Sequence, residues 1–174
     1  LELARRAYDL APDEQIVAGS HVLLLLAAGY LGDALAVSAI RIESDPLSPV
    51  IAGGHAVLLR SERRAEEAAA LARRTVEAFP EAGYAWFIHA LLALFDNRID
   101  RATEIVASAE EAGHVLPLKV LLMFMQTVSA MEPDARRATV GAFLTRDAPT
   151  SYLVDIGLAA AMGEPELAMG HLLD

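Results

Sequence analysis

"YAWFIHALLALFDNRIDRA", residues 84–102, decides the fold. It carries the single tryptophan of the chain, Trp86, beside Phe87 and His89, then an apolar run, then the polar break "DNR". At a period of 3.6 residues the segment up to Phe95 is apolar on nearly every side. That suits a helix covered by neighbours around most of its circumference. A second helix follows the break. The same layout recurs upstream. One constant spacing of 34 separates Pro12, Pro46 and Pro80; it also separates His21, His55 and His89, and Ala34, Ala68 and Ala102. Three residue types in one register mark a repeat array, because a period of about 20–50 residues is the mark of stacked supersecondary units.

Each unit reads as two helices. An apolar first helix ends at a short polar break: "GYLGD", "SERRAEE" or "DNRID". A second helix with closely spaced alanines, as in "EEAAALARRTVEAF", ends at a proline, which cannot continue a helix. No alternating β-branched runs bounded by turn dipeptides occur, so strands are not expected.

Composition agrees with a packed helical domain. The 174 residues are 55% hydrophobic and 22% charged, and the mean hydropathy is +0.36. No apolar run reaches the roughly 18 residues of a membrane span. "HVLLLLAAGYLGDALAV" comes nearest and is broken by Gly29, Gly32 and Asp33. The formal net charge of −10 argues against direct nucleic-acid binding, which asks for a basic patch. Cysteine is absent, so no disulfide frame, Cys–zinc site or thiol nucleophile is expected. The start "LELARR" lacks a signal-peptide pattern, and a cytoplasmic location is expected. The chain begins without Met, inside what reads as a helix, and is expected to be a piece of a longer protein.

The repeat resembles the tetratricopeptide (TPR) repeat, which has the same period and the pattern W-x2-L-G-x2-Y…A-x3-F…P. Trp86 sits on the pattern's Trp, Ala102 on the first alanine of the second helix, Ala109 on the next small position, and Pro46 and Pro80 on the terminal proline. His21, His55 and His89 replace the usual Leu; Val22, Ala56 and Ala90 replace the Gly; His114 replaces the fourth proline. The match covers residues 1 to about 114, and looser repeats with Pro117, Pro133, Pro149 and Pro165 follow. The implied fold is all-α, a right-handed TPR-like α-solenoid of antiparallel helix pairs. The chain then forms one domain over 1–174, with repeats at 1–14 (partial), 15–48, 49–82, 83–116, 117–148 and 149–174 (partial). The stretch from Gly53 to Leu92 and the ending "AAAMGEPELAMGHLLD" also look like the TPR regions behind winged-helix DNA-binding or adenylate cyclase domains of bacterial regulators.

In TPR arrays a few first-helix positions line an inner groove. The resemblance places Leu23, Val57, Arg60, Tyr84, Phe87, Leu91, Leu94, Phe95, Leu121 and Met125 there as partner-binding residues. The set is apolar apart from Arg60, and Lys, Arg and Asn do not gather as they do where such domains clamp a peptide carboxylate. Phe87, Leu91 and Phe95 also share one helical stripe by their i, i+4, i+8 spacing. A competing reading packs these side chains between repeats.

Enzyme motifs are missing: no GxSxG, GxGxxG, P-loop or HExxH occurs. Gly53-Gly54 reads as close helix packing rather than a phosphate loop. Glu66–Glu67, Glu110–Glu111 and Glu164–Glu166 read as solvated faces or partners of helix dipoles, and "RSERR" and "ARRA" as solvated basic runs. The histidines cannot share a zinc ion. Ligands on one zinc lie about 3–3.5 Å apart, whereas packed helices stand roughly 8–10 Å apart. Each histidine is expected to be half-buried and hydrogen-bonded across its helix pair. A shared response to acid is the sharper reading of the ladder.

These readings give a non-enzymatic protein–protein interaction scaffold with no cofactor and no metal. It would bind a peptide or helix in an apolar concave groove, as the regulatory part of a bacterial transcriptional regulator. The alternative is a self-associating domain whose groove or solenoid end is buried in a homodimer. Neither a membrane nor a nucleic acid is expected as a partner. The sequence leaves open who the partner is, what flanks the segment, the oligomeric state and whether a small molecule enters the groove.

Overall fold

A computed structural model describes residues 1–116, 118–145, 161–164 and 166–167. Among the described residues the protein is all-helical, with no strand. The helices are α1 (Glu2–Leu10), α2 (Gln15–Ala27), α3 (Leu31–Ser44), α4 (Pro49–Ser61), α5 (Ala65–Ala78), α6 (Gly83–Phe95), α7 (Ile99–Glu111), α8 (Leu118–Ser129) and α9 (Pro133–Leu144). The expected final half repeat, 149–174, lies almost wholly outside the described residues, and so does Pro117.

The period is written into the helix boundaries. Helices α2, α4 and α6 start at residues 15, 49 and 83, and α3, α5, α7 and α9 at 31, 65, 99 and 133, so each step is 34. The repeating letters fade after residue 114, yet α9 keeps the spacing.

Two kinds of joint set it. Between first and second helices, one residue turns left-handed: Gly29 at φ 81°, Arg63 at 61° and Asn97 at 54°. That conformation lets the next N–H reach back five residues. The N–H of Tyr30 donates to the carbonyl of Leu25 at 2.9 Å, Arg64 to Leu59 at 2.9 Å and Arg98 to Ala93 at 2.8 Å. The last orphan carbonyls of each first helix are thereby satisfied. Gly29 adopts this φ without strain; Asn97 tolerates it better than Arg63 does.

Between second and first helices, proline sets the turn. The residue before it is forced out of the helical region. Ala11, Asp45 and Phe79 accordingly cap their helices at φ −145°, −139° and −134°. Each opens a turn with Pro12, Pro46 or Pro80 in second place, closed by the N–H of Glu14, Ser48 or Ala82. Helix α4 then starts with Pro49, whose missing N–H costs nothing there, and Ser48 Oγ accepts from the N–H of Ile51 at 3.4 Å. Trp86 belongs to this joint as well. It is half-buried, and its indole N–H donates to the carbonyl of Pro80 at 2.9 Å.

The chain divides into two compact units, Leu1–Ile88 and His89–Asp174. In the first, α1 packs on α2, α2 on α3, α3 on α4 and α4 on α5. Ala34 and Ala68 are fully buried, which lets helix axes approach closely; Leu25 and Leu58 pack with Ala34 in one cluster. In the second, α7 packs on α8 and α8 on α9. Its core holds Ala102, Ala109, Met125, Val128 and Val140, and the rings of Phe124 and Phe143 stack at 4.3 Å. No helix among the described residues is long and apolar enough to cross a membrane.

Candidate ligand-binding groove

The first unit contains an apolar cavity of about 330 Å³. Its walls are Val22, Leu23 and Leu26 of α2, Val50 and Val57 of α4, and Tyr84 at the start of α6. Ser38 and Arg41 of α3 also line it.

Adjacent glycines build it in two different ways. A Cβ on Gly53 would come within 2.8 Å of Tyr84 Cε1 and 3.1 Å of Ile88 Cγ1, so Gly53 lets the Tyr84 ring lie against the α4 backbone. Close packing was the expectation for the pair, and Gly53 meets it. Gly54 does something else. It lines the cavity, and a Cβ there would meet nothing within 4 Å. Gly19 of α2 also lines the cavity and faces equally open space. Missing side chains at these two positions leave the recess open.

Three of the sequence-predicted groove residues, Leu23, Val57 and Tyr84, come together in this cavity. Phe87 is half-buried and stacks on Tyr84 with ring centroids 6.3 Å apart. Arg60 and Phe95 are half-buried and lie outside the cavity lining. Leu91, Leu94 and Met125 are a correction: they are 4%, 0% and 0% exposed, core residues that offer no surface to a partner. The stripe Phe87, Leu91 and Phe95 is therefore not an exposed one. Leu121 lies in α8, with its side chain outside the described set.

Ser38 and Arg41 escaped the sequence reading because the family pattern looks only at first helices. Arg41 is half-buried and held in place. Its Nη1 donates to the carbonyls of Pro12 at 3.2 Å and Asp13 at 3.1 Å. These partners lie 29 and 28 residues away, so no local pattern reveals them. Ser38 is buried, and its Oγ lies 3.1 Å from Nδ1 of His55.

Two rungs of the histidine ladder, His21 and His55, sit in different environments. His55 pairs with Ser38 of α3, the last helix of the preceding repeat. Burial pushes its pKa below 6.5, and the nearby Arg64 charge adds to the effect. His21 is buried and stacks on Tyr8 of α1 at 5.0 Å, with no hydrogen-bond partner for Nδ1 among the described residues. His89 is half-buried. The expectation of a hydrogen bond across each helix pair therefore fails at both His21 and His55: the partner of His55 lies in the preceding repeat, and His21 stacks on Tyr8 instead. Among the described residues no group of three or more His, Cys, Asp or Glu could hold a metal ion.

One member of an acidic pair, Glu164, departs from the solvated reading, while Glu166 stays exposed. Glu164 is buried, with Oε2 3.2 Å from Nη1 of Arg137 and Oε1 3.9 Å from Nε of Arg136; Glu166 reaches Arg137 at 3.1 Å. These contacts tie Glu164 and Glu166 to α9 and neutralise the "ARRA" run. The chain matches no known protein family, and no curated protein matches it.

Proposed function

We propose that the chain is a non-enzymatic interaction module of TPR type that binds an apolar peptide or helix on the open face of its first unit. The observation that supports this most is a ladder at one repeat position. Ile16, Val50 and Tyr84 occupy the same place in successive repeats and are 82%, 48% and 40% exposed. Leu23 joins them at 58%. Large apolar side chains repeatedly left in water beside a recess are the usual mark of a contact surface. The sequence resemblance to regulator TPR regions supports a place beside a separate DNA-binding or catalytic domain in a cytoplasmic bacterial regulator.

A peptide-display selection against the chain tests the reading. It should yield helical sequences with large apolar residues at i, i+3 and i+4, whose affinity changes little between 50 and 500 mM salt. Leu23→Asp and Tyr84→Asp should abolish their binding. Binders unaffected by both substitutions would place recognition elsewhere. The same exposed ladder supports the second reading, a homodimer. Light scattering over a wide concentration range separates the two: a dimer lost on Leu23→Asp would mean that a second copy covers this face.

A further inference from the structure

We propose that the cavity in the first unit binds a short aliphatic carboxylate, with its chain among Leu23, Val50 and Val57 and its carboxylate on Arg41. This goes beyond the peptide reading of the face above it. The volume sets the class. A recess of about 330 Å³ lies at the lower end of the roughly 300–1,000 Å³ of small-molecule pockets. That suits a short fatty acid. It is too small for a helix, which is about 10–12 Å across with its side chains. The walls are aliphatic apart from Tyr84, and openings at Gly19 and Gly54 keep the space clear for a chain.

Arg41 sets the charge. Nη1 donates to the Pro12 and Asp13 carbonyls, which holds the guanidinium in place. Its Nε and Nη2 groups have no acceptor, and no carboxylate pairs with it, among the described residues. That free edge is the one that binds a carboxylate through two parallel hydrogen bonds. An arginine held rigid beside an apolar recess, in a chain of net charge −10, is complementary to an apolar anion and not to an apolar cation.

Calorimetric titration with three amphiphiles of equal chain length tests this: decanoate, decanol and decyltrimethylammonium, each below its micellar concentration. Decanoate should bind at one site, with decanol weaker by about tenfold or more for want of a charge-assisted contact. The cation should bind weakest. General association with an acidic protein would favour the cation, so the opposite order overturns the proposal without any variant. Arg41→Gln should bring decanoate down to the level of decanol. Gly54→Leu should remove both, with a melting temperature no lower than the parent's, because it fills the recess and replaces a helical glycine. Unchanged decanoate affinity in Gly54→Leu would mean that the ligand sits elsewhere. Failure here leaves the peptide reading standing, since that rests on Leu23 and Tyr84 and is read by the peptide assay.

Discussion

One position, the ninth of the repeat, can be followed through four repeats as Leu23, Val57, Leu91 and Met125. In the first unit Leu23 is 58% exposed and Val57 half-buried beside an open recess; in the second, Leu91 and Met125 are 4% and 0% exposed. All four are apolar and of similar bulk, so the difference comes from their surroundings. Three and four positions earlier the early repeats carry Gly19-Ser20 and Gly53-Gly54, and the later ones Phe87-Ile88 and Leu121-Leu122. Ile88 and Leu122 are buried. Where these positions carry little or no side chain, a recess stays open.

The strongest test of this contrast is stability. Met125→Ala should cost about 2–5 kcal/mol in urea unfolding, because it leaves a hole in a filled core. Leu23→Ala should change stability by no more than about 0.5 kcal/mol. Comparable losses for the two would erase the distinction between open and filled repeats.

A finer contrast lies within α4. Gly53→Ala must displace the Tyr84 ring or Ile88 and should destabilise by about 1–2 kcal/mol, after the gain in helix propensity is counted. Gly54→Ala meets open space and should stabilise by about 0.5–1 kcal/mol. Equal signs would show that the Tyr84 ring yields easily and that Gly53 is not required for the wall.

The histidines give the smallest effect. His55 has a folded-state pKa below 6.5, so the unfolded chain takes up the proton first as pH falls. Its contribution is complete above about pH 6.5 and is lost as pH drops below that toward the folded value. The melting temperature should be lower at pH 5.5 than at 7.5, and His55→Gln should shrink that difference. A difference untouched by the substitution would assign the acid response to other groups.

Much of the helical layout is legible in the letters. Proline, alanine and histidine at steps of 34 announce where α2 to α7 begin, because turns and close helix contacts admit few residue types. The site is less so. Leu91 and Leu23 are the same residue at the same register, and their opposite burial cannot be read from the letter itself. Glycine at position 54 could have been read as an opening, but it looks the same on the page as Gly53, which closes a contact. Arg41 and Glu164 acquire their roles from partners 27–29 residues distant. No spacing rule for one helix reaches that far.

The left-handed joints have a consequence for how such a chain can change. Their shape is carried by backbone hydrogen bonds, which is why glycine, arginine and asparagine all serve at 29, 63 and 97. A side chain at a joint costs local backbone strain, whereas a change of length shifts everything beyond it. One inserted residue in α3 would turn everything after it by about 100° around that helix axis. It would carry Ser38 or Arg41 away from the recess. Point changes at these corners have local effects, but gain or loss of chain is tolerated best in whole repeats, which keep every later helix in register.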